Sequence, residues 1–247
     1  MIVLFTDFGV TGPYISQIHN VLQQNAPNTA VIELFSDAPT YNPLASAYLL
    51  AAYVQEFPED TVFLCVIDPG VGSVRQPVIY RVDNRWYVGP DNGLFDVVLK
   101  QANDFNQVNC WDISWVSWKP NKLSATFHGR DLFAPVAAKL ANNESPPGIL
   151  RQTNHTRILN TPDDLLQIVY IDAFGNAMTG LRISSISPSS TIYLKNQKLF
   201  MARTYSDVKV GMAFWYENSN KLVEIAVNQG SAQQVLDLEI GILFEII

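Results

Sequence analysis

Apolar and polar positions alternate between strand-like and helix-like patterns in the first part of the chain. Short apolar runs at Ile2–Phe5, Ala30–Phe35 and Val62–Ile67 predict strands, and the third is apolar enough to be buried on both faces. Tyr14–Gln24 carries apolar residues at helical spacing, and a second helix is predicted to begin at Asn42, a good cap that is followed by proline. This βαβ rhythm predicts an α/β domain with a mainly parallel sheet.

The pattern changes after residue 145. The segment 146–164 is rich in Asn, Pro and Thr and is predicted to be a linker between the α/β domain, residues 1–145, and a smaller domain, residues 165–247. Further elements of the first domain are predicted at Pro77–Val82 and Trp86–Val88, as a hairpin, and at Gly93–Gln101 and Leu132–Leu140, as helices. Strands of the second are predicted at Leu166–Ile171, Thr191–Leu194, Ala213–Tyr216, Leu222–Val227 and Ile242–Ile246. The second domain is therefore predicted to be all-β and barrel-like.

The amino-acid composition limits the kinds of partner that this chain can bind. A net charge of −7 argues against a nucleic-acid-binding surface and against an anionic membrane as partner. Two cysteines are too few for a disulfide framework, no basic leader precedes the first strand, and no apolar run approaches the length of a membrane span. We therefore expect a cytoplasmic globular protein.

Three polar residues are the first candidates for chemistry. Asp68 directly follows the third strand, so its carboxylate should emerge at the carboxyl edge of the sheet, where open α/β folds bind ligands. Arg75 closes the glycine-rich turn that follows, and His128 lies in a second polar cluster at residues 126–131. His128 could accept a proton from water, Asp68 could fix its tautomer, and Arg75 could stabilise hydroxide. An ordinary turn and a structural histidine are the alternative.

Other polar and aromatic residues have two interpretations each. Asp7, after the first strand, could hold a ribose diol or cap the next helix. Asp131 is predicted to be structural, as the cap of the following helix. Tyr41 and Tyr205 could stack on a base or belong to the core. Glu224 is predicted to be solvated.

In the second domain, the turn that contains Asp172 and Asn176 could present both side chains to a ligand or be a plain glycine turn. The three histidines show no metal-binding spacing, and the Gly70–Gly72 turn lacks the third glycine and the lysine of nucleotide loops. We therefore predict no metal and no cofactor.

Taken in order, the motifs resemble the S-adenosylmethionine (SAM) hydroxide adenosyltransferase family, which is related to the fluorinase and chlorinase enzymes. The matching segments are residues 6–9, 68–72, 89–94, 126–131, 174–176, 218–219 and 224–228. The resemblance implies an N-terminal α/β domain, a C-terminal barrel-like domain, and a homotrimer whose sites lie between the N-terminal domain of one subunit and the C-terminal domain of the next. It also implies cleavage of SAM by water to adenosine and L-methionine.

The family motifs imply a role for each matching residue. Asp68, Arg75 and His128 match the triad that handles the water. The implied substrate-binding residues are Asp7 at the ribose diol, Asp172 and Ser219 near the methionine end, Asn176 at the adenine side, and Tyr41, Tyr205 and Val227 around the substrate.

Two alternatives stay open: a SAM-dependent halogenase, and a SAM- or adenosine-binding trimer without turnover. The halogenases replace the triad, which this chain keeps. Departures from the pattern are Tyr41, where the fluorinase has Trp, Tyr205, where it has Phe, and Asn220–Leu222, where relatives often have a residue followed by Gly-Tyr.

Overall fold

The computed structural model describes residues 1–114 and 123–247. The chain divides into two compact units. The N-terminal unit comprises Met1–Leu50 and Val54–Thr161, and the C-terminal unit comprises Ala51–Tyr53 and Pro162–Ile247.

A seven-stranded sheet forms the centre of the N-terminal unit. Its strands are β1 (Ile2–Thr6), β2 (Val31–Phe35), β3 (Val62–Val66), β4 (Pro77–Val82), β5 (Arg85–Pro90), β6 (Asn109–Asp112) and β7 (Ile149–Arg151), in the order β2-β1-β3-β5-β4-β6-β7. Every residue of β1 and β3 is buried, as their unbroken apolar runs predict. Both strands end at the same edge, because they pair in parallel.

The sheet is mixed rather than simply parallel. The pairs β1–β2, β1–β3 and β3–β5 are parallel, whereas β4 pairs antiparallel with β5 and β6, and β6 pairs antiparallel with β7. The predicted hairpin explains the reversal. Asp83 and Asn84 join β4 to β5 with φ angles of 45° and 60°, the left-handed pair that suits a two-residue hairpin turn.

Helices alternate with these strands along the chain, and the last three residues of the second helix, Ala51–Tyr53, belong to the C-terminal unit. The helices are α1 (Tyr14–Asn25), α2 (Pro43–Tyr53), α3 (Asp96–Lys100), α4 (Ala134–Ala141) and α5 (His155–Asn160). Asn42 caps α2 by accepting the Ala45 N–H at 3.0 Å, which confirms the predicted start of this helix. Apolar side chains of α1 and α4 pack with β1 and β3 in one buried core.

The segment 146–164, for which a linker was predicted, contains β7 and α5. Two arginines hold these elements within the N-terminal unit: Arg151 pairs with Asp91, and Arg157 pairs with both Asp91 and Asp96. Asp96 is only 4% exposed, so its charge requires such a partner. The polar, proline-rich composition of this segment gave no sign of these ion pairs, because their buried aspartates lie far away in the sequence.

The C-terminal unit contains two antiparallel sheets. The strands are β8 (Leu165–Ile171), β9 (Ala177–Arg182), β10 (Ile192–Leu194), β11 (Gln197–Leu199), β12 (Ala213–Glu217), β13 (Leu222–Val227) and β14 (Glu245–Ile246), with a short helix α6 (Ala232–Val235). The sheet orders are β12-β13-β9-β8 and β11-β10-β14. Their inward residues share an apolar core that includes the fully buried Trp215. The second domain is therefore built on antiparallel sheets, and closure into a barrel stays a prediction.

Candidate active site

The three polar side chains that were predicted to act together form one hydrogen-bonded chain in the N-terminal unit. Asp68 lies just beyond β3, Arg75 ends the turn that follows, and His128 directly precedes a π-helical turn at Gly129–Phe133. Arg75 Nε donates to the two carboxylate oxygens of Asp68 at 2.9 and 3.0 Å, and a terminal guanidinium nitrogen also donates to Asp68. The same terminal nitrogen lies 2.8 Å from His128 Nδ1. Arg75 therefore bridges the carboxylate and the imidazole.

This bridge determines the protonation of the imidazole. A guanidinium group donates and cannot accept, so His128 Nδ1 is the acceptor of the Arg75 hydrogen bond and the neutral ring carries its proton on Nε2. We expected Asp68 to orient the ring, whereas Arg75 makes that contact. The carboxylate and the imidazole are thus two separate partners of one permanent cation.

Burial and the Arg75 charge both lower the pKa of His128, with burial the larger cause. The opposing charges of Asp68 and Asp131 raise it by less. His128 is therefore neutral at pH 7. The Asp68 and Arg75 side chains are only 6% and 9% exposed, so this ion pair is shielded from solvent.

The glycine-rich turn lets Arg75 come close to His128. Gly72 has a φ of 79°, and a Cβ atom there would lie 2.9 Å from the backbone oxygen of Ala125. A side chain at this position would push the turn away from the segment that leads into His128. Asn92, from the polar motif at 89–94, supports the other end of the turn by donating to the Ile67 oxygen at 2.8 Å, next to Asp68.

A cavity of about 560 Å³ opens beside the triad, within the range of small-molecule sites. Asp7, Tyr41, Asp68 and His128 all line it. One Asp7 oxygen accepts the Tyr41 N–H at 2.9 Å, and Tyr41 has a φ of 56° and a ring that is 76% exposed. The alternative that Asp7 caps α1 is wrong, because α1 begins after Pro13 without any side-chain cap.

Burial is the largest cause that raises the pKa of Asp7, and the Tyr41 N–H opposes it. Asp68 adds a smaller upward effect through its charge. Asp7 is thus a partly desolvated carboxylate at the carboxyl end of β1, where the parallel edge of the sheet brings it into the same cavity as Asp68.

Aromatic rings form another wall of the cavity. Phe8, Tyr14 and Phe127 pack against one another with centroid distances of 5.4–6.1 Å. Asp131 is not the cap of α4. Its carboxylate instead accepts the Ser124 N–H at 2.8 Å and pairs with Arg130, so it is structural as predicted but holds the loop before His128.

The C-terminal unit has a pocket of its own. Its volume is about 460 Å³, and its lining residues are Phe174, Asn176, Tyr205, Val227, Gln229 and Gly230. Three predicted substrate-binding residues, Asn176, Tyr205 and Val227, therefore share one pocket. Gly175 shapes its turn: the φ is 82°, and a Cβ atom there would lie 2.0 Å from Ser231 Oγ.

Two predicted residues lie in the turns of this unit rather than in the pocket lining. Asp172 accepts hydrogen bonds from the N–H groups of Phe174 and Asn176 and from the Asn176 side chain at 3.0 Å. Ser219 is exposed, and its hydroxyl donates to the Asn220 side chain at 3.0 Å. Asp172 thereby orients Asn176, which lines the pocket.

Glu224 is the residue that the sequence-based interpretation missed. It was predicted to be solvated, but it is 3% exposed and accepts hydrogen bonds from Tyr216 and from Asn218. Burial is the largest cause that raises its pKa. Its position in an uninterrupted apolar strand, with buried neighbours on both sides, was the signal that could have revealed its burial.

The described part of the chain offers no metal centre and no membrane span. Among residues 1–114 and 123–247, no three His, Cys, Asp or Glu side chains are grouped so as to hold a metal ion. Within the same ranges, no helix combines the length and apolar character needed to cross a membrane.

Comparison with known families identifies the class. The model of the SAM hydroxide adenosyltransferase N-terminal domain matches residues 2–149, and that of the C-terminal domain matches residues 166–244. The chain belongs to the SAM hydroxide adenosyltransferase family. The resemblance inferred from the motifs is thereby confirmed.

Individual relatives agree over nearly the full length. A Thermus thermophilus protein named (R)-S-adenosyl-L-methionine hydrolase is 33% identical, and the alignment covers 97% of this chain and 96% of that protein. A Salinispora arenicola protein of the same name is 32% identical over 96% of this chain and 93% of its own length.

A solved structure shares the whole fold. The crystal structure of an uncharacterized conserved protein from Thermotoga maritima superimposes with a TM-score of 0.88 at 27% identity, covering 100% of both chains.

Proposed function

We propose that this enzyme hydrolyses SAM to adenosine and L-methionine. The observation that carries the proposal is the Asp68–Arg75–His128 chain beside a cavity that also contains Asp7. Hydrolysis at the ribose C5′ carbon needs a positioned water and an acceptor for one proton, and Asp68 and His128 in the cavity lining are groups that can hold a water and accept its proton. Family membership and the names of the relatives support the same reaction.

In the proposed reaction, the water oxygen attacks C5′ in line with the C5′–S bond. That bond breaks, its electron pair goes to the sulfonium sulfur, and methionine leaves as a neutral thioether. One proton is released from the attacking water. The substrate sulfonium is already a good leaving group, so the proposed reaction needs no metal or other cofactor. The task of the protein is mainly to orient the reactants in a shielded cavity.

We propose that Asp68 accepts the proton. His128 Nδ1 is occupied by Arg75, and the neutral ring presents its Nε2–H as a donor that can hold the water oxygen. Asp68 Oδ1 accepts a single hydrogen bond from Arg75, whereas Oδ2 accepts two, so Oδ1 keeps a lone pair that can accept a water proton. The proposal thus gives Asp68 the proton-accepting role that the sequence analysis considered for His128. Arg75 holds both partners and stabilises the negative charge that develops on the oxygen.

The proposal gives each predicted substrate-binding residue a contact, in the two pockets or, for Asp172 and Ser219, in the turns of the C-terminal unit. Asp7 would accept the ribose hydroxyls, and the exposed Tyr41 ring would pack on the substrate in the N-terminal cavity. In the C-terminal pocket, Tyr205 and Val227 would sandwich the adenine while Asn176 hydrogen-bonds to its edge. Asp172 and Ser219 would bind the methionine end.

The proposal also includes an oligomer, because the two pockets would bind different parts of one substrate molecule. We propose that three copies associate, and that the N-terminal cavity of one copy and the C-terminal pocket of another serve one substrate molecule. Co-expression of an Asp68→Asn subunit with a Tyr205→Leu subunit tests this. Mixed trimers then contain some sites with both halves intact, so the rate at SAM concentrations well below KM should exceed that of either variant alone. Activity equal to the average of the two variants would contradict a shared site.

Isotope labelling tests the reaction. The enzyme is incubated with SAM in ¹⁸O-labelled water, and the products are analysed by mass spectrometry. Label in the 5′-hydroxyl of adenosine, together with free methionine, is the expected result. Binding of SAM without product would refute hydrolysis and favour the non-catalytic binder. A 5′-halo product in added chloride would favour the halogenase, which the charged and hydrogen-bonded triad disfavours.

A further inference from the structure

Glu224 of β13 is a buried carboxylate for which the proposed reaction gives no role. It is 3% exposed, and no lysine or arginine of residues 1–114 or 123–247 pairs with it. Its hydrogen-bonding partners are neutral: the Tyr216 hydroxyl donates to Oε1, and the Asn218 amide donates to Oε2 at 2.9 Å. Burying a carboxylate without a cation costs folding free energy. We therefore looked for what the Glu224 carboxylate holds in place.

The first partner leads into the C-terminal pocket. The hydroxyl oxygens of Tyr216 and Tyr205 are 3.2 Å apart. Tyr216 has a single hydroxyl proton, which it gives to Glu224, so Tyr205 must donate to Tyr216. The Tyr205 ring also packs edge-on against Phe214 at 5.3 Å. Glu224 thereby fixes the direction of a two-phenol chain that ends on a pocket-lining ring.

The second partner leads into the turn that carries Ser219. Asn218 is 7% exposed, and its side-chain oxygen accepts the N–H groups of Asn220 at 2.9 Å and Leu222 at 3.0 Å. Its amide nitrogen is thus left to donate to Glu224. Asn218 cannot exchange its oxygen and nitrogen without losing both backbone contacts.

A carboxylate suits this junction because both of its oxygens accept. A glutamine would offer one oxygen and one NH₂ group, and the NH₂ group would face the donor of either Tyr216 or Asn218. Since neither partner can reverse its role cheaply, one of the two connections would break. The substitution Glu224→Gln keeps the size of the side chain but removes one acceptor, so it tests the acceptor function of Glu224 separately from its packing.

We propose that Glu224 is a positioning residue for substrate recognition, which holds the Tyr205 ring and the Ser219 turn in one geometry through Tyr216 and Asn218. The inference rests on the proposed function of this pocket. Glu224 acts on substrate affinity, through Tyr205 at the adenine and through the Ser219 turn at the methionine end, and leaves the chemistry at Asp68 unchanged.

The test uses Glu224→Gln and Tyr216→Phe in the full-length protein, with Thr179→Val as the matched control. Thr179 is fully buried in the adjacent strand and donates to the Val223 oxygen at 2.7 Å, so its loss weakens the same sheet without touching the phenol chain. Initial rates against SAM concentration, adenosine affinity by calorimetry and the melting temperature are measured for each protein.

We expect both network variants to raise KM and the adenosine Kd by about tenfold, the effect of one lost hydrogen bond, with kcat within about twofold of the native value. The double variant should add little to Glu224→Gln alone, because both changes act through one chain. Thr179→Val should lower the melting temperature and leave KM and Kd unchanged.

Three results would overturn the inference: unchanged KM and Kd in both network variants, additive effects in the double variant, or an equal rise in Thr179→Val. Tyr216→Phe removes only one hydroxyl, so it decides the matter if Glu224→Gln does not fold. A native protein that binds adenosine but releases no product from SAM would refute the proposed hydrolysis, while the adenosine Kd values would still test Glu224.

Discussion

Two buried carboxylates show how the units of this chain differ. Asp68 of the N-terminal unit is held by a guanidinium that also contacts His128, and its side chain is 6% exposed. Glu224 of the C-terminal unit is 3% exposed and is held by a phenol and an amide. One acid shares a permanent cation with a second titratable group, whereas the other is surrounded by neutral donors.

The surroundings of each carboxylate indicate what it can do. An arginine between a carboxylate and an imidazole keeps charge and lone pairs beside a cavity, where a proton can be moved. Neutral donors around a carboxylate fix geometry without supplying charge to a reaction. On the proposed function, the N-terminal unit supplies the chemistry together with the Asp7 and Tyr41 contacts, whereas the C-terminal unit supplies recognition alone, and four predictions test this division.

Asp68→Asn should have the largest effect. The amide keeps the shape of the carboxylate but cannot take a proton and opposes one Arg75 donor, so kcat should fall by about 10³-fold with little change in SAM binding. Rates and calorimetric affinity measure the two effects. Asp164→Asn is the control, since it breaks another Asp–Arg pair, with Arg182, away from the cavity. A fall in affinity as large as the fall in kcat would remove the proton-accepting role.

Arg75→Lys should lower kcat by about 10²-fold. A lysine ammonium lacks the planar fork that contacts Asp68 and His128 together, so the bridge is lost although the charge remains. Nitrogen-15 spectra of His128 should show the Nε2–H tautomer in the native protein and a mixture of tautomers in the variant. Native spectra with the proton on Nδ1 would contradict the bridge.

Tyr205→Leu tests the recognition side of the comparison. Loss of a stacking ring should raise KM for SAM by about tenfold and leave kcat nearly unchanged. Tyr193→Leu is a suitable control, because this tyrosine lies on β10 and donates to Asn196 outside the pocket. If kcat falls as much as KM rises, the separation of chemistry from recognition does not hold.

His128→Asn should have the smallest effect, on the pH dependence of stability. The pKa of His128 in the folded state is below its value of 6.5 in the unfolded chain, so the unfolded state binds the proton first as the pH falls. Native stability should therefore decline relative to the variant as the pH drops from about 6.5 through the folded pKa.

The free energies of unfolding of the two proteins are compared by urea titration between pH 5 and 7.5. Contributions from Asp7 and Asp96, whose pKa values are raised in the folded protein, cancel in the difference. A constant difference across this range would show that His128 does not titrate as inferred.

Much of the architecture could be predicted because it depends on local pattern. The unbroken apolar runs of β1 and β3, the Asn42 cap and the turn at Asp83 and Asn84 are short-range features. Parallel strands end at a common edge, so the proximity of Asp7 to Asp68 also followed from the order of elements. Geometry across longer separations did not follow in this way.

The hydrogen bonds of Glu224 depend on how a turn folds back on its strand, and the packing of residues 149–160 depends on partners distant in sequence. The apolar neighbours of Glu224 along β13 indicate a strand buried on both faces, but they do not say which donors face the carboxylate, since this depends on how the strands and turns pack. Arg157 lies 61 residues from Asp96, and no local pattern connects the two. Charged side chains such as these are therefore predicted to be exposed when only the sequence is known.

The amino-acid sequence was enough to identify the family, the α/β unit followed by β-strands, and the three residues of the proposed triad. These depend on motifs and on apolar periodicity, which are written along the chain. Only the tertiary structure decided that Arg75 and not Asp68 contacts the His128 ring, and that Glu224 joins Tyr216 to Asn218. The physical reason is that the direction of a hydrogen bond depends on which donors and acceptors face one another, and folding alone brings those atoms together.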